Sequence, residues 1–215
     1  MNQSGERHMQ LRHCLVGSWH TNAYALVCPG TGSSVLIDPG ADPYALQLLL
    51  EDTVPAAILI THSHFDHIGA LSEMRQRLKV PVMAHAEGME NRQVAADVWL
   101  RGGERLPVGD RHVTVTHAPG HAPDQLCFGC EQDHRIIVGD TIFDGGPGKT
   151  WTVQAFETTL NTLRKIVLAW PDETECFPGH GASFRLGDIR SRVERFVGRD
   201  HGDFFGDATW EGFNC

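Results

Sequence analysis

The chain is poor in positive charge. Lys and Arg number 18 against 27 Asp and Glu, for a net charge of −9, and no basic run occurs anywhere along its 215 residues. That removes the electrostatic footprint on which nucleic-acid binding depends. Long apolar runs are missing too, so no segment reads as a membrane span. The first residues show no charged stretch followed by an apolar one, and hence no secretory leader is expected. Cysteine is sparse. Cys14, Cys28, Cys127, Cys130, Cys176 and Cys215 are scattered without the spacing of a disulfide framework, which fits a reducing, cytoplasmic setting. No repeat, low-complexity block or long Pro/Gly/Ser linker divides the chain. With 41% hydrophobic and 21% charged residues, one globular domain over 1–215 is expected, its end (199–215) an aromatic and acidic tail.

What the chain does have is histidine, 13 in all. Four ligand-type side chains fall within six positions of "THSHFDHIGA": His62, His64, Asp66 and His67. They follow "AAILI", which reads as a strand. On an extended segment His62 and His64 point the same way, so both can grip one ion. Asp66 and His67 lie past the bend and can face a second. Imidazole and carboxylate suit zinc, iron or manganese. Further donors follow apolar runs at other strand ends: His121 in "HAPGHAPD", Asp140 in "IIVGDTIF" and His180 in "CFPGHG". Ligands that converge on one edge of a sheet should sit at such positions.

The remaining pattern interleaves strands with helices. "AYALVC", "SSVLIDPG", "VPVMAHAEG", "RHVTVTHAPGH", "DQLCFGC", "RIIVGDTIF" and "ETECFPGH" read as strands, with "EQDHR" as a hairpin turn. "PYALQLLLEDT" reads as a helix capped by Asp42. "ALSEMRQRLK", "TVQAFETTLNTLRKIVLAW" and "LGDIRSRVERFVGRD" read as helices, and 88–100 as helix or capping loop. Hairpins among the helices argue against a regular doubly wound sheet and for two sheets covered by helices.

The residues just named resemble the metallo-β-lactamase-fold superfamily. Its H-x-H-x-D-H signature matches His62, His64, Asp66 and His67. Its later His, Asp and His match His121, Asp140 and His180 in order, and "VLIDPG" matches a strand typical of the family. The resemblance spans roughly residues 15 to 190 and implies an α/β fold. That fold is a four-layer αββα sandwich of two mixed β-sheets with helices on the outer faces. It also implies two divalent ions, zinc foremost, with iron or manganese as alternatives. His62, His64 and His121 would bind the first ion, Asp66, His67 and His180 the second, and Asp140 would bridge them. A hydroxide shared by the ions would be the nucleophile, with Asp66 orienting it as a catalytic residue. Asp at position 140, where β-lactamases proper usually carry Cys, points to the glyoxalase II-like (hydroxyacylglutathione hydrolase-like) branch.

Cleavage of a thioester or related ester in a small-molecule substrate is the activity that follows. The 35 residues after His180 are too few for the helical glutathione-binding domain of the longer glyoxalase II. Other branches therefore stay open: a persulfide dioxygenase with one iron on His62, His121 and Asp140, a lactonase, or a binding module without catalysis.

Several residues carry a second expectation. Asp38 in "LIDPG" either accepts the outer N–H of a ligand histidine or caps the turn at Gly40. Lys149 in "GGPGKTW" matches a basic residue that holds the substrate carboxylate in glyoxalase-like relatives, or is a solvated loop lysine. Trp151 either walls the pocket with it or anchors the next helix, and anchoring is expected. His85 reads as an edge residue and His117 as a structural one. Cys127 and Cys130 form a C-x-x-C within a strand, which sends them to opposite faces. Sheet packing rather than redox chemistry is expected of them. Loops 88 to 105 and 143 to 152 would shape the pocket.

Overall fold

The computed structural model describes residues 8–89, 94–131 and 133–213. The first sheet is built from β1 (Gln10–Val16), β2 (Thr21–Val27), β3 (Ser33–Ile37), β4 (Val54–Leu59), β5 (Val82–His85) and β6 (Val98–Leu100), in that order. β1, β2 and β3 pair antiparallel, whereas β3 through β6 run parallel. β7 (Arg105–Val108), β8 (Arg111–His117), β9 (Leu126–Cys130), β10 (Arg135–Gly139), β11 (Glu175–Pro178) and β12 (Phe184–Arg185) form the second sheet. Its neighbours also follow chain order, and only β10 and β11 run parallel. Helices α1 (Pro43–Leu49), α2 (Phe65–Ile68) and α3 (Leu71–Leu78) belong to the first half, α4 (Val153–Lys165) and α5 (Leu186–Val197) to the second. A short hairpin, β13 (Ala208–Thr209) with β14 (Gly212–Phe213), closes the described chain.

Three apolar cores separate four layers. Because side chains alternate along a strand, Tyr24 and Leu26, Val35 and Ile37, and Ala57 and Leu59 turn to the space between the sheets. There they meet Val113, Val115, Phe128 and Ile137. Their neighbours Ala23 and Ala25, Leu36, and Ile58 and Ile60 turn the other way, onto Leu46 and Leu49 of α1 and Leu71 and Met74 of α3. On the far side, Cys127, Val138 and Cys176 meet Phe156, Leu160 and Leu163 of α4 and Ile189, Val193 and Phe196 of α5. This is the αββα sandwich of two mixed sheets. Strands buried on both faces read as unbroken apolar runs, which is why β2 and β4 stood out in the sequence.

Several local expectations are corrected. Asp42 precedes α1 in a left-handed conformation and makes no capping hydrogen bond; its Oδ2 instead accepts the N–H of Gly17 at 2.7 Å, tying the β1–β2 turn to α1. Within 88–100, expected to be helix or capping loop, residues 98–100 are an edge strand pairing with β5, and 90–93 lie outside the described residues. β1, β6 and β7 had no reading as strands; β1 is only partly buried and carries mixed polar residues. The long helix from 152 ends at Lys165 in favour of a tight turn over Val167–Ala169. No described helix is long and apolar enough to cross a membrane.

Cys127 and Cys130 do face opposite ways. Cys127 packs in the helix-side core and Cys130 between the sheets, and no disulfide forms among the described residues. Replacing both by Ala should lower stability by about 1–2 kcal/mol each in urea unfolding, as for small cavities. Metal content should not change; a loss of half the bound metal with the fold intact would contradict the packing role.

Candidate metal centre

The parallel strands point their C-terminal ends to one edge, and the chain leaves each of them there. Asp38 follows β3, Thr61 to His67 follow β4, Asp140 follows β10 and His180 follows β11. Backbone bonds lock the two sheets together at this edge. Leu126 N–H donates to Thr61 O at 2.7 Å and Asn22 N–H to Gly179 O at 2.7 Å. The side chains of Asn22 and Tyr24 both donate to Pro178 O, at 2.9 and 2.6 Å. Close approach requires glycine here. A Cβ on Gly179 would come within 2.2 Å of Asp140 Oδ1, so position 179 must lack a side chain for the carboxylate to fit.

All seven expected side chains converge. His62 Nε2 and His121 Nε2 lie 3.0 and 2.9 Å from His64 Nδ1. His180 Nε2 is 3.0 Å from Asp66 Oδ2, and His67 Nε2 is 3.5 Å from Asp66 Oδ2 and from Asp140 Oδ1. Asp140 stands between the groups, its Oδ2 3.4 Å from His121 Nε2 and 3.7 Å from His180 Nε2. Two ligand sets thus form, His62/His64/His121 and Asp66/His67/His180, with Asp140 reaching both.

The outer ring nitrogens set the tautomers. His121 Nδ1–H donates to the Lys149 carbonyl at 2.8 Å, and His180 Nδ1–H to the Trp19 carbonyl at 3.3 Å. His67 Nδ1–H donates to Asp38 Oδ2 at 2.8 Å. Asp38 also accepts the backbone N–H of Thr61 at 2.8 Å and its hydroxyl at 2.6 Å. Its carboxylate is thus placed to orient the His67 ring, beyond any part in the turn. Thr61 Oγ1 in turn lies 3.1 Å from His62 Nδ1. Each of these rings therefore turns Nε2 inward, the arrangement in which second partners fix a ligand histidine.

The cluster can hold a cation. Two buried atoms in it, His67 Nε2 and Asp140 Oδ1, have no hydrogen-bond partner, which is costly unless something binds them. Burial, reinforced by the neighbouring imidazoles, pushes His62 and His64 down, and burial pushes His121 down to about 3. That set is therefore a trio of neutral lone pairs aimed at one point. In the other set burial lowers His67, but Asp38 and then Asp140 outweigh it and hold the ring up to about 9. Burial likewise lowers His180, and its bond to Asp66 raises it overall. For Asp66, burial raises the carboxyl, and the His180 bond with the His67 charge brings it below its usual range. Burial dominates at Asp140 and pushes it up against the His67 and His180 charges. Protons on His67 and His180 thus stand where a metal charge would serve. Lone pairs, carboxylates and orphaned atoms fit divalent ions bound by N and O donors.

Other residues fall around this centre. Trp151 is half exposed, with its ring 5.2 Å from that of His64 and 5.3 Å from that of His121. It walls the site instead of anchoring α4, whose cap is Thr152. Lys149 contributes its carbonyl to His121, while its ammonium pairs with Asp207 Oδ2 at 3.2 Å. His85 and His117 stack at 3.9 Å, and His117 Nε2–H donates to Pro123 O at 2.8 Å. Glu87 lies within reach of both rings. Sequence reasoning did not single out Thr61, Asn22 or Tyr24. Thr61 could have been noticed, since it directly precedes the His cluster; nothing local marks the other two.

The chain matches the metallo-beta-lactamase superfamily over residues 16–180. It belongs to that family. A probable metallo-hydrolase, YqgX, of Bacillus subtilis (strain 168) is 31% identical over 193 residues, covering 80% of this chain and 90% of the relative. The hydroxyacylglutathione hydrolase of Rhodopseudomonas palustris (strain ATCC BAA-98 / CGA009) is 33% identical over 162 residues, which are 73% of this chain but 61% of the relative. Among solved structures, ETHE1 from Myxococcus xanthus superposes with a TM-score of 0.78 at 26% identity, covering 89% of this chain and 86% of that one. TTHA1623, solved in a di-iron-bound form, gives a TM-score of 0.73 at 29% identity over 83% and 96%. The superfamily is one of metal-dependent, hydrolase-type enzymes, and the His/Asp groups found here match that description.

The protonated second set yields a pH signature. In metal-free protein, His67 has a folded pKa of about 9 against an ordinary 6.5. Its stabilising contribution is complete below pH 6.5 and is lost as pH rises through 9. His121 has the opposite sign: held down to about 3, it costs stability as pH falls below 6.5. Metal-free protein should therefore lose Tm from pH 6.5 to 9. Metal-loaded protein, in which the ion replaces the proton, should not. Parallel slopes in the two forms would contradict this assignment.

Asp38 gives a second test. Asp38→Asn keeps the shape but can present an NH2 to His67 Nδ1, unsettling its tautomer. Metal affinity should fall about 10–100-fold, as for partners of ligand histidines, with far-UV circular dichroism unchanged. Unaltered affinity by competition with a chromophoric chelator would remove Asp38 from this role.

Proposed function

We propose that the protein is a dinuclear metal-dependent hydrolase of thioesters or related esters. The observation that carries this is the pairing of two complete ligand sets around Asp140, whose two oxygens face different imidazoles, 3.5 Å from His67 and 3.4 Å from His121. Divalent ions bound there, zinc foremost, supply Lewis acidity and a water acidified toward a pKa of about 7. The likeness to TTHA1623 in its di-iron-bound form and to hydroxyacylglutathione hydrolases supports both the metal count and the substrate class.

The chain's own groups have distinct parts. His62, His64 and His121 would hold the first ion, and Asp66, His67 and His180 the second. Asp66, half-buried with Oδ2 turned toward His180, orients the attacking water. In the overall reaction the water oxygen bonds to the acyl carbon, the carbon–sulfur bond breaks, and the proton released leaves with the thiol. Trp151 covers the first set from solvent and offers a face to the substrate. No cysteine nucleophile is needed, and burial pushes the thiols of Cys127, Cys130 and Cys176 up to about 12.

Replacing the bridging carboxylate tests this reading. Asp140→Asn offers one good acceptor and no charge, so both ions should loosen and metal content should drop. The acid limb of the hydrolysis–pH profile should move to higher pH, because less metal charge acts on the water. His121→Ala, by contrast, should empty mainly the first set. Full metal content with an unmoved acid limb in Asp140→Asn would exclude the bridge. One iron per wild-type chain would favour the mononuclear persulfide dioxygenase, which the likeness to ETHE1 supports.

A further inference from the structure

A groove of about 480 Å³ lies against the loop that carries His121. Pro119, Gly120 and Pro123 of the loop that carries His121 form one wall, and Thr152, Gln154 and Ala155 at the start of α4 form the other. Thr152 in that wall directly follows Trp151, whose ring packs on those of His64 and His121. His117 and Glu87 also line the groove. A substrate whose scissile bond lies at the ions can therefore extend one of its two arms past Trp151 toward the groove.

The charge along this path is negative. Glu87 is the one charged group in the described lining, and it is exposed. The cation nearest the centre in sequence, Lys149, is paired with the chain's own Asp207 at 3.2 Å. Hydrogen bonds between segments hold the stretch of chain that carries Asp207. Thr150 N–H donates to Gly206 O at 3.1 Å and Trp210 N–H to Gly145 O at 3.0 Å. The Trp210 indole N–H, on a side chain only 2% exposed, donates to Asp144 O at 2.7 Å. A substrate carboxylate brought to Lys149 would have to share it with Asp207, and like charges at contact distance repel.

We propose that two carboxylates, Asp207 at Lys149 and Glu87 in the groove, select a substrate whose thiol portion is uncharged or cationic. This rests on the thioester hydrolase reading and narrows it: a glutathione thioester, with two carboxylates in its thiol portion, is disfavoured against a neutral one such as an N-acetylcysteamine thioester. Asp207 and Glu87 act as specificity residues and touch no reacting atom.

Two measurements on the metal-loaded full chain separate this from the parent reading. The first is kcat/KM for the same acyl group on glutathione and on N-acetylcysteamine. The second is binding of the non-cleavable thioethers S-hexylglutathione and S-hexyl-N-acetylcysteamine, by calorimetry. The wild type should prefer the neutral member in both. Asp207→Asn and Glu87→Gln should each shift the ratio toward the glutathione compound by up to about fivefold, the scale of one exposed ion pair. The shift should shrink with added salt. If the wild type binds S-hexylglutathione as well as its neutral counterpart, or if neither variant moves the ratio, the selectivity proposal is overturned, whatever the rate of hydrolysis. If neither thioester is cleaved while the neutral thioether still binds preferentially, the hydrolase reading fails and the selectivity of the groove stands.

Discussion

Charge balance at the edge where the two sheets meet governs this structure. Three carboxylates, Asp38, Asp66 and Asp140, lie among five imidazoles, and most of these groups are buried. Burying such groups is unfavourable unless each finds a partner. Outer contacts satisfy part of the cluster: Asp38 takes His67 and Thr61, and backbone carbonyls take His121 and His180. The inner atoms are left facing one another, and two of them have no partner. The sandwich can carry this arrangement because the sheets are tied directly at that edge, through Thr61 to Leu126 and Asn22 to Gly179. The cost of ordering the site is thus spread over both sheets.

How much of this could be read from sequence follows from how local each signal is. The metal-ligand candidates were legible because four of them crowd into the eight residues after β4, Asp140 and His180 closely follow β10 and β11, and His121 lies in the short loop after β8. The layers were legible through β2, β3, β4 and β9, whose apolar runs come from burial on both faces. β1 escaped because one side of it meets solvent and its sequence mixes Arg12 and His13 with Leu11 and Leu15. β6 and β7 escaped because a strand of three or four residues at a sheet edge needs only partners, not a pattern of its own. Asp42 misled for a related reason: a carboxylate before Pro looks like a cap, but a tertiary donor, Gly17 N–H, claimed it.

The same distinction separates Asp38 from Trp151. Asp38 belonged to a recognisable "LIDPG" and could be assigned a histidine partner. It adopts a φ of 55°, a conformation that Asp tolerates better than most residues with a side chain. That turn brings its carboxylate back across the end of β4. Trp151 had no such motif. Whether it pointed into α4 or over the histidines depended on where the 143–150 loop ended, and contacts some sixty residues further along fix that loop.

Those contacts give the C-terminal segment a part in the centre. Trp210 is buried against Phe196, their rings 5.4 Å apart, while its indole holds Asp144. Gly206 exchanges hydrogen bonds with Thr150. The clamped loop leaves the bridging candidate Asp140 at one end and delivers the Lys149 carbonyl to His121 at the other. One residue, Lys149, therefore does two separable things: its backbone orients a ligand histidine, and its side chain meets a carboxylate from the tail. A side-chain substitution at 149 leaves the carbonyl in place, so the orientation of His121 and the charge at the mouth of the site can vary independently. In a fold whose ligands sit on strand ends and whose specificity sits on loops, that separation lets the charge at the mouth change while the metal centre is kept.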